Sequence, residues 1–252
     1  METLGDRMKK YEADSERNGC IDMRAPVIIR LDGCHFHTWL KKAKLRKPFD
    51  RRMIDAMQTA ALTLCNEIQS SAMAYVQSDE ISLVLRNDQS EKSDAWFGNR
   101  MQKLCSISAS ICSVAFNSRM AELTDGEAPL AYFDSRVMYM PNKDEVFNCI
   151  LWRQRDCVRN SISGLAQAHF SPKELDRMNG DDKLKMLAGK GVDWNSLKTD
   201  EKYGAVVHRM ARRGEYNGVE FTRKVFFVDG EFGEVDFRKF GDAYDFNVDV
   251  AK

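Results

Sequence analysis

The sequence predicts an α+β fold, a ferredoxin-like βαββαβ core followed by a mainly helical C-terminal region. Three observations predict it. Strand-like apolar runs and amphipathic helical stretches alternate in the order strand, helix, strand, strand, helix, strand over residues 26 to 140. Two of the apolar runs lead into carboxylates, in Arg30-Leu31-Asp32-Gly33 and Gln77-Ser78-Asp79-Glu80. A basic stretch from Lys41 to Arg52 directly succeeds the first of these segments.

Residues 1 to 24 are polar and are expected to open with a helix. Val27-Ile28-Ile29 starts a strand apolar on both faces, which Gly33 ends. Cys34 to Lys47 reads as a short helix or loop. Pro48-Phe49-Asp50 starts the next helix, with Asp50 as N-cap. Met53, Ile54, Met57, Ala60, Ala61, Leu64, Cys65 and Ile68 recur at helical spacing, so one apolar stripe runs to about Gln69. Residues 73 to 86 read as two strands joined tightly at Ser78-Asp79-Glu80. A helix over roughly Asp94 to Asn117 and a strand over 131 to 140, closed by Pro141, complete the core.

This order implies an antiparallel sheet with two helices on one face, as in polymerase palms, nucleotide cyclases and RNA-recognition modules. The first strand lies beside the hairpin, so Asp32 and Asp79 can meet on the open side. Farther on, Asp144 to Phe170 reads as a helix, and Ser171-Pro172-Lys173-Glu174 as the start of another. Gly180, Gly189 and Gly191 interrupt the chain beyond that start, and Lys224 to Phe237 reads as a hairpin around Asp229-Gly230. The expected organisation is a palm-like core with its N-terminal helix over 1–142, and a mainly helical region over 143–252 packed on it as one unit.

Composition bounds the function. Lys and Arg number 38 and Asp and Glu 38, so net charge is zero and does not announce a nucleic-acid binder. Local clusters carry more information: the Lys41–Arg52 stretch, Arg153 with Arg155 and Arg159, and Arg209 with Arg212 and Arg213. No apolar run approaches the ~20 residues of a membrane span. The first ten residues lack the apolar core of a secretory signal. The expected location is the cytosol, with no membrane partner. Cys20, Cys34, Cys65, Cys105, Cys112, Cys149 and Cys157 include no C-x-x-C pair, and are expected to be free thiols.

The acidic segments define the candidate site. A carboxylate at the mouth of a sheet is costly unless compensated, and two side by side repel each other. Mg²⁺ removes the repulsion and favours carboxylate and phosphate oxygens. Asp32 and Asp79 are therefore candidate catalytic carboxylates for phosphoryl or nucleotidyl transfer. Gly33 lets backbone approach a metal or a triphosphate. Glu80 is a third ligand or a supporting charge. His35 and His37 lack a third nearby ligand for zinc, so stacking on or orienting a nucleotide is the expected role. Arg100 and Lys103, at i and i+3 of the second helix, would clamp phosphate oxygens.

Several short segments resemble the tRNA-histidine guanylyltransferase family and its guanylyltransferase-like 3′–5′ polymerase branch. They are Arg30-Leu31-Asp32-Gly33 with Phe36-His37, Lys47-Pro48 with Asp50, and Tyr75 with Gln77-Ser78-Asp79-Glu80. Trp96-Phe97 with Arg100 and Lys103, Phe133-Asp134 with Arg136, and Trp152-Arg153-Gln154 with Asp156-Cys157 continue the match in the family's order. The resemblance implies a two-metal palm, with Asp32, Asp79 and the Gly33 carbonyl as ligands of two Mg²⁺ ions. It implies that Gly33, Cys34, His35, Phe36 and His37 cradle a nucleoside triphosphate, and that Lys47, Ser78, Arg100 and Lys103 serve nucleotide or tRNA 5′-end contacts. It also implies 5′-end activation by ATP or GTP, attack by the 3′-hydroxyl of an incoming nucleotide, and a homotetramer built as a dimer of dimers. At Val158-Arg159-Asn160-Ser161-Ile162-Ser163-Gly164 only Asn160 matches the segment associated with histidine-tRNA recognition. The leading expectation is therefore template-directed repair of tRNA 5′ ends, with single-G addition to histidine tRNA as the alternative. A nucleotide cyclase or an RNA-binding module are further alternatives.

Overall fold

The computed structural model describes residues 3–18, 24–88, 94–217 and 219–245. Cys20 and the last residues to Lys252 lie outside that set. The elements are α1 (Leu4–Asn18), β1 (Val27–Gly33), α2 (Phe36–Lys42), α3 (Arg51–Glu67), β2 (Ser71–Gln77), β3 (Glu80–Leu85), α4 (Met101–Leu123), β4 (Phe133–Tyr139), α5 (Lys143–His169), α6 (Gly180–Gly189), α7 (Thr199–Tyr203), β5 (Ala205–Tyr216), β6 (Val219–Asp229) and α8 (Phe237–Asp245).

Six strands form one sheet in the order β4-β1-β3-β2-β5-β6, with every pair antiparallel. The first four are the expected ferredoxin-like core, and the α+β, palm-like reading holds. α3 and α4 cover one face. Their packing stems from sequence: Met53, Ala56, Met57, Ala60, Ala61 and Leu64 of α3 meet Ile29, Leu31, Val76, Ile81 and Leu83 of the strands. Asp50 caps α3 as expected, its carboxylate accepting from the Arg52 amide (3.0 Å) and the Arg46 amide (2.8 Å).

The other face is not open along its length. Met8 of α1, Val146, Cys149 and Ile150 of α5, and Phe240, Ala243 and Tyr244 of α8 pack there on Ile28, Tyr75, Val84 and Met138. Arg30, two residues before Asp32 on that face, is tied to Glu12 of α1 (2.6 Å). At the sheet end that carries Asp32 and Asp79, α5 reaches the sheet through Arg153, which grips Glu80, so the site is an edge rather than a floor.

The C-terminal region departs from expectation in two places. The hairpin turns at Asn217, not at Asp229-Gly230, and its strands extend the sheet beyond β2. Ser171 and Glu174 do exchange capping hydrogen bonds (2.7–3.4 Å), but the chain makes turns rather than a helix there. Arg177 then takes a left-handed φ of 59°, and the helix starts at Asn179, which caps α6 with Asp182. Two features stitch the added strands to the core. Gly204 enters β5 with φ 77°, where a Cβ would sit 2.4 Å from the Val76 carbonyl. Buried Gln154 donates to the Tyr203 and Gly233 carbonyls (3.2 and 2.9 Å) and accepts from the Val235 amide (2.7 Å).

Candidate active site

The strand register builds an acidic row. Asp32 stands opposite Asp134 on β4 and opposite Glu80 on β3. Side chains directly opposite in antiparallel strands lie ~4.5–5.5 Å apart, and like charges there repel. Asp79 joins the row from the β2–β3 turn. Ser78 takes a left-handed φ of 47° to make that turn, and the Gly33 amide donates to the Asp79 carbonyl (3.0 Å). The turn is thereby fastened to the exit of β1.

The carboxylates differ in what compensates them. Burial, and then the charge of Asp32, push the Asp79 carboxyl up to about 6. Its hydrogen bond comes from the Ser78 hydroxyl (3.0 Å), and among the described residues neither Asp32 nor Asp79 has an ion-pair partner. Glu80 is held differently. The Arg153 guanidinium, from α5, grips it with two bonds (2.7 and 2.6 Å) and also reaches Asp156 (3.0 Å). Both oxygens of Glu80 are engaged, so the geometry favours a supporting charge over a third ligand. Asp134, half exposed with Arg136 at 3.8 Å, is a fourth carboxylate; the sequence places it in a matching segment but assigns it no role in the site. Strand alternation in Phe133–Tyr139 was the available signal.

Gly33 is required for packing. A Cβ on it would lie 2.2 Å from Phe36 Cδ2. The Phe36 ring stacks on Trp39 (4.9 Å between centroids) and meets Phe116 and Phe133, and the residue is 3 % exposed. The Phe36 side chain is therefore core, and only its backbone is left to serve the expected triphosphate cradle. His35 and His37, by contrast, are exposed beside it, and His35 takes a φ of 56° to start α2. The first amides of α2 have no intrahelical partners. Cys34 donates its amide to the Tyr132 carbonyl (2.8 Å), and partial burial raises its thiol.

Lys47 and Ser78 line one cleft of about 880 Å³, with Arg46, Asn160 and Lys183. It runs from the acidic turn along α5 toward residues 170 to 177. Lys47 thus shares one cleft with Ser78, the sequence neighbour of Asp79. Arg100 and Lys103 do not line it. Tyr139, paired with Val27 at the start of β1, donates to the Asn99 carbonyl (3.3 Å), which places the start of α4 at the opposite end of β1. Six residue steps of β1 separate the two ends, about 20 Å at ~3.3 Å per residue. Arg100 also precedes α4 in extended conformation instead of lying on the helix.

The site fits a hard divalent cation in part. Among the described residues no three His, Cys, Asp or Glu side chains form a metal cage. Two uncompensated carboxylates beside the Gly33 carbonyl nevertheless suit Mg²⁺, which commonly takes one or two carboxylates and completes its shell with phosphate and water.

A palm-like sheet ending in two uncompensated aspartates, beside a cleft lined by Lys47 and Ser78, defines a class of enzyme, the nucleotidyltransferases. The comparisons with known proteins name the family within it. The family model for Thg1, tRNAHis guanylyltransferase, matches residues 5–141. A bacterial tRNA(His) guanylyltransferase (Thg1)-like protein solved with ATP is 38 % identical, with a TM-score of 0.75 over 91 % of this chain and 92 % of its own. The GTP complex of such a bacterial protein gives 37 % identity and a TM-score of 0.70, over 90 % and 91 %. A probable tRNA(His) guanylyltransferase of Drosophila melanogaster is 27 % identical over 214 residues, 79 % of this chain and 72 % of that protein. The chain belongs to the Thg1 family of nucleotidyltransferases.

Proposed function

We propose that the protein adds guanylate to the 5′ end of a tRNA, with histidine tRNA as the leading substrate, using ATP or GTP to activate the end. The observation that carries this is the uncompensated Asp32–Asp79 pair at the sheet edge, beside a cleft lined by Lys47 and Ser78. The names of the curated relatives support guanylyl addition more directly than they support template-directed repair of 5′ ends. Repair remains the second reading on one observation: Val158–Gly164, on the stretch of α5 that borders the cleft, retains only Asn160 of the segment associated with histidine-tRNA recognition.

Asp32, Asp79 and the Gly33 carbonyl are the groups that would hold Mg²⁺. Held there, Mg²⁺ would supply charge neutralisation on the phosphates and a lower pKa for the attacking hydroxyl. The chain's own residues do the rest. Arg153 neutralises Glu80 and keeps the turn in place. His35 and His37 orient the incoming nucleotide at the exposed side of α2, and Lys47 attracts phosphate at the mouth of the cleft.

The test incubates purified protein with Mg²⁺ and all four nucleoside triphosphates, in parallel with a 5′-monophosphorylated histidine tRNA and with a 5′-truncated tRNA, and maps the 5′ end by primer extension. Gain of one G is expected. Extension only of a 5′-truncated tRNA, by nucleotides complementary to the opposite strand, would move the assignment to repair. No 5′ addition to either RNA overturns both.

A further inference from the structure

Behind the acidic row lies a pair of guanidiniums. Residues two apart on a strand share a face, so Arg30 of β1 and Arg136 of β4 sit two residues behind Asp32 and Asp134. The two arginines stand directly opposite each other, as the two aspartates do. Ser82 flanks Arg30 on the β3 side, as Glu80 flanks Asp32. One carboxylate from outside the sheet serves both cations. Glu12 of α1 accepts from Arg30 Nη2 (2.6 Å) and lies 3.7 Å from Arg136 Nη1. Its helix is anchored by Met8, fully buried in the second-face core, and by Arg7, which donates to Glu145 of α5 (2.8 Å).

The Arg30–Glu12 pair is largely out of water, with 8 % and 14 % of the two side chains exposed. Arg30 has donor capacity left over. Its Nε is buried without a hydrogen-bond partner, and a buried donor in that state costs free energy until it finds an acceptor. Most carboxylates nearby are engaged. Glu80 is gripped by Arg153, and Asp134 lies 3.8 Å from Arg136. Asp32, on Arg30's own strand and face, has no ion-pair partner among the described residues. It is about 7 Å from Arg30 along the strand at ~3.3 Å per residue, within the span of an arginine side chain. Without Glu12, Asp32 is the acceptor left for the Arg30 guanidinium. An Asp32 paired in that way is no longer free for a cation.

We propose that Glu12 is a positioning residue for the metal site: it holds Arg30 away from Asp32 and so keeps that carboxylate open to a divalent cation. This rests on the Mg²⁺ reading above and adds what prevents the site from pairing with its own strand. Glu12 acts only through Arg30, from a helix outside the sheet.

The test uses the full chain and Mn²⁺ alone, a hard divalent ion whose free form is read by electron paramagnetic resonance. Binding that is lost in Asp32→Ala defines the acidic site. Glu12→Ala should weaken that binding on the order of tenfold, the scale of one charge-assisted hydrogen bond set in competition. Adding Arg30→Gln to Glu12→Ala should restore wild-type affinity, because the competitor is gone. In the transfer assay, the Mg²⁺ concentration giving half the maximal rate should rise by the same factor in Glu12→Ala, with kcat recovered at saturating Mg²⁺. Unchanged Mn²⁺ affinity in folded Glu12→Ala overturns the proposal and leaves the Mg²⁺ reading standing. A loss that Arg30→Gln does not restore also overturns it, and assigns Glu12 to the packing of α1. If Glu12→Ala does not fold by circular dichroism, the neutral isostere Glu12→Gln takes its place under the same outcomes. A wild-type chain with no Asp32-dependent Mn²⁺ binding overturns both.

Discussion

Asp79 and Glu80 are sequence neighbours of equal charge, and the fold treats them in opposite ways. Glu80 is gripped by Arg153, whereas Asp79 is half-buried against Asp32 with no cation among the described residues. The sign of the Asp79 shift makes a prediction. A carboxyl raised from 3.8 to about 6 costs folding nothing below pH 3.8 and its full amount above pH 6. After allowance for solvent screening that cost is on the order of 1–2 kcal/mol. Asp79→Asn should therefore melt a few degrees higher than wild type at pH 7.5 without metal, and no higher near pH 4. It should also lose nucleotidyl transfer. A variant less stable than wild type at pH 7.5 would contradict the electrostatic account. Asp32 and Asp79 were legible in the sequence because each closes an apolar run. The pairing of Glu80 was not, since Arg153 lies 73 residues away. The burial of Phe36 was equally hidden, because Phe116 and Phe133 reach it only through tertiary packing.

Helix ends and helix faces set the next level. Arg153 places α5 against the β2–β3 turn, with only 11 % of either side chain of the pair exposed. Removing one partner of such a pair leaves a buried charge alone, at ~3–5 kcal/mol. Arg153→Met should show that loss in urea unfolding, and adding Glu80→Gln should recover much of it. A double variant no more stable than the single one would mean that the pair does not act as a unit. At the start of α3, the Arg52 side chain and the Arg46 and Arg52 amides lower Asp50 to about 2. Its stabilisation is full above pH 4 and is lost as pH falls through 2. Asp50→Ala should cost about 1–2 kcal/mol at pH 7, and the gap from wild type should close by pH 2. The Asp50 cap and the α3 stripe were readable from local spacing alone. The hairpin was misplaced because Asp229-Gly230 and Asn217-Gly218 both carry turn chemistry, and only pairing with β2 decides between them. Ser171-Pro172-Lys173-Glu174 has the capping residues of a helix, but the turn they start does not propagate.

At the scale of the molecule, residues after 142 complete the sheet and cover its second face. β5 pairs with β2, and α5 and α8 bury Ile28, Tyr75 and Val84. We therefore expect one cooperative unit: a single calorimetric transition for the full chain, and no folded product from residues 1–142 alone. Two separable transitions would show that the regions fold independently. The four-stranded order was legible because it arises from local runs. The covered second face was not, because it depends on long-range docking of α1, α5 and α8. Gln154 adds a consequence of another kind. Its one amide joins α5, the end of α7 and the loop after β6 through three backbone groups. No other residue type offers two donors and an acceptor in that shape. A saturation screen scored by activity would rank this position among the least tolerant, and so flag as catalytic a side chain whose work is architectural. Only a parallel screen for abundance would tell the two apart.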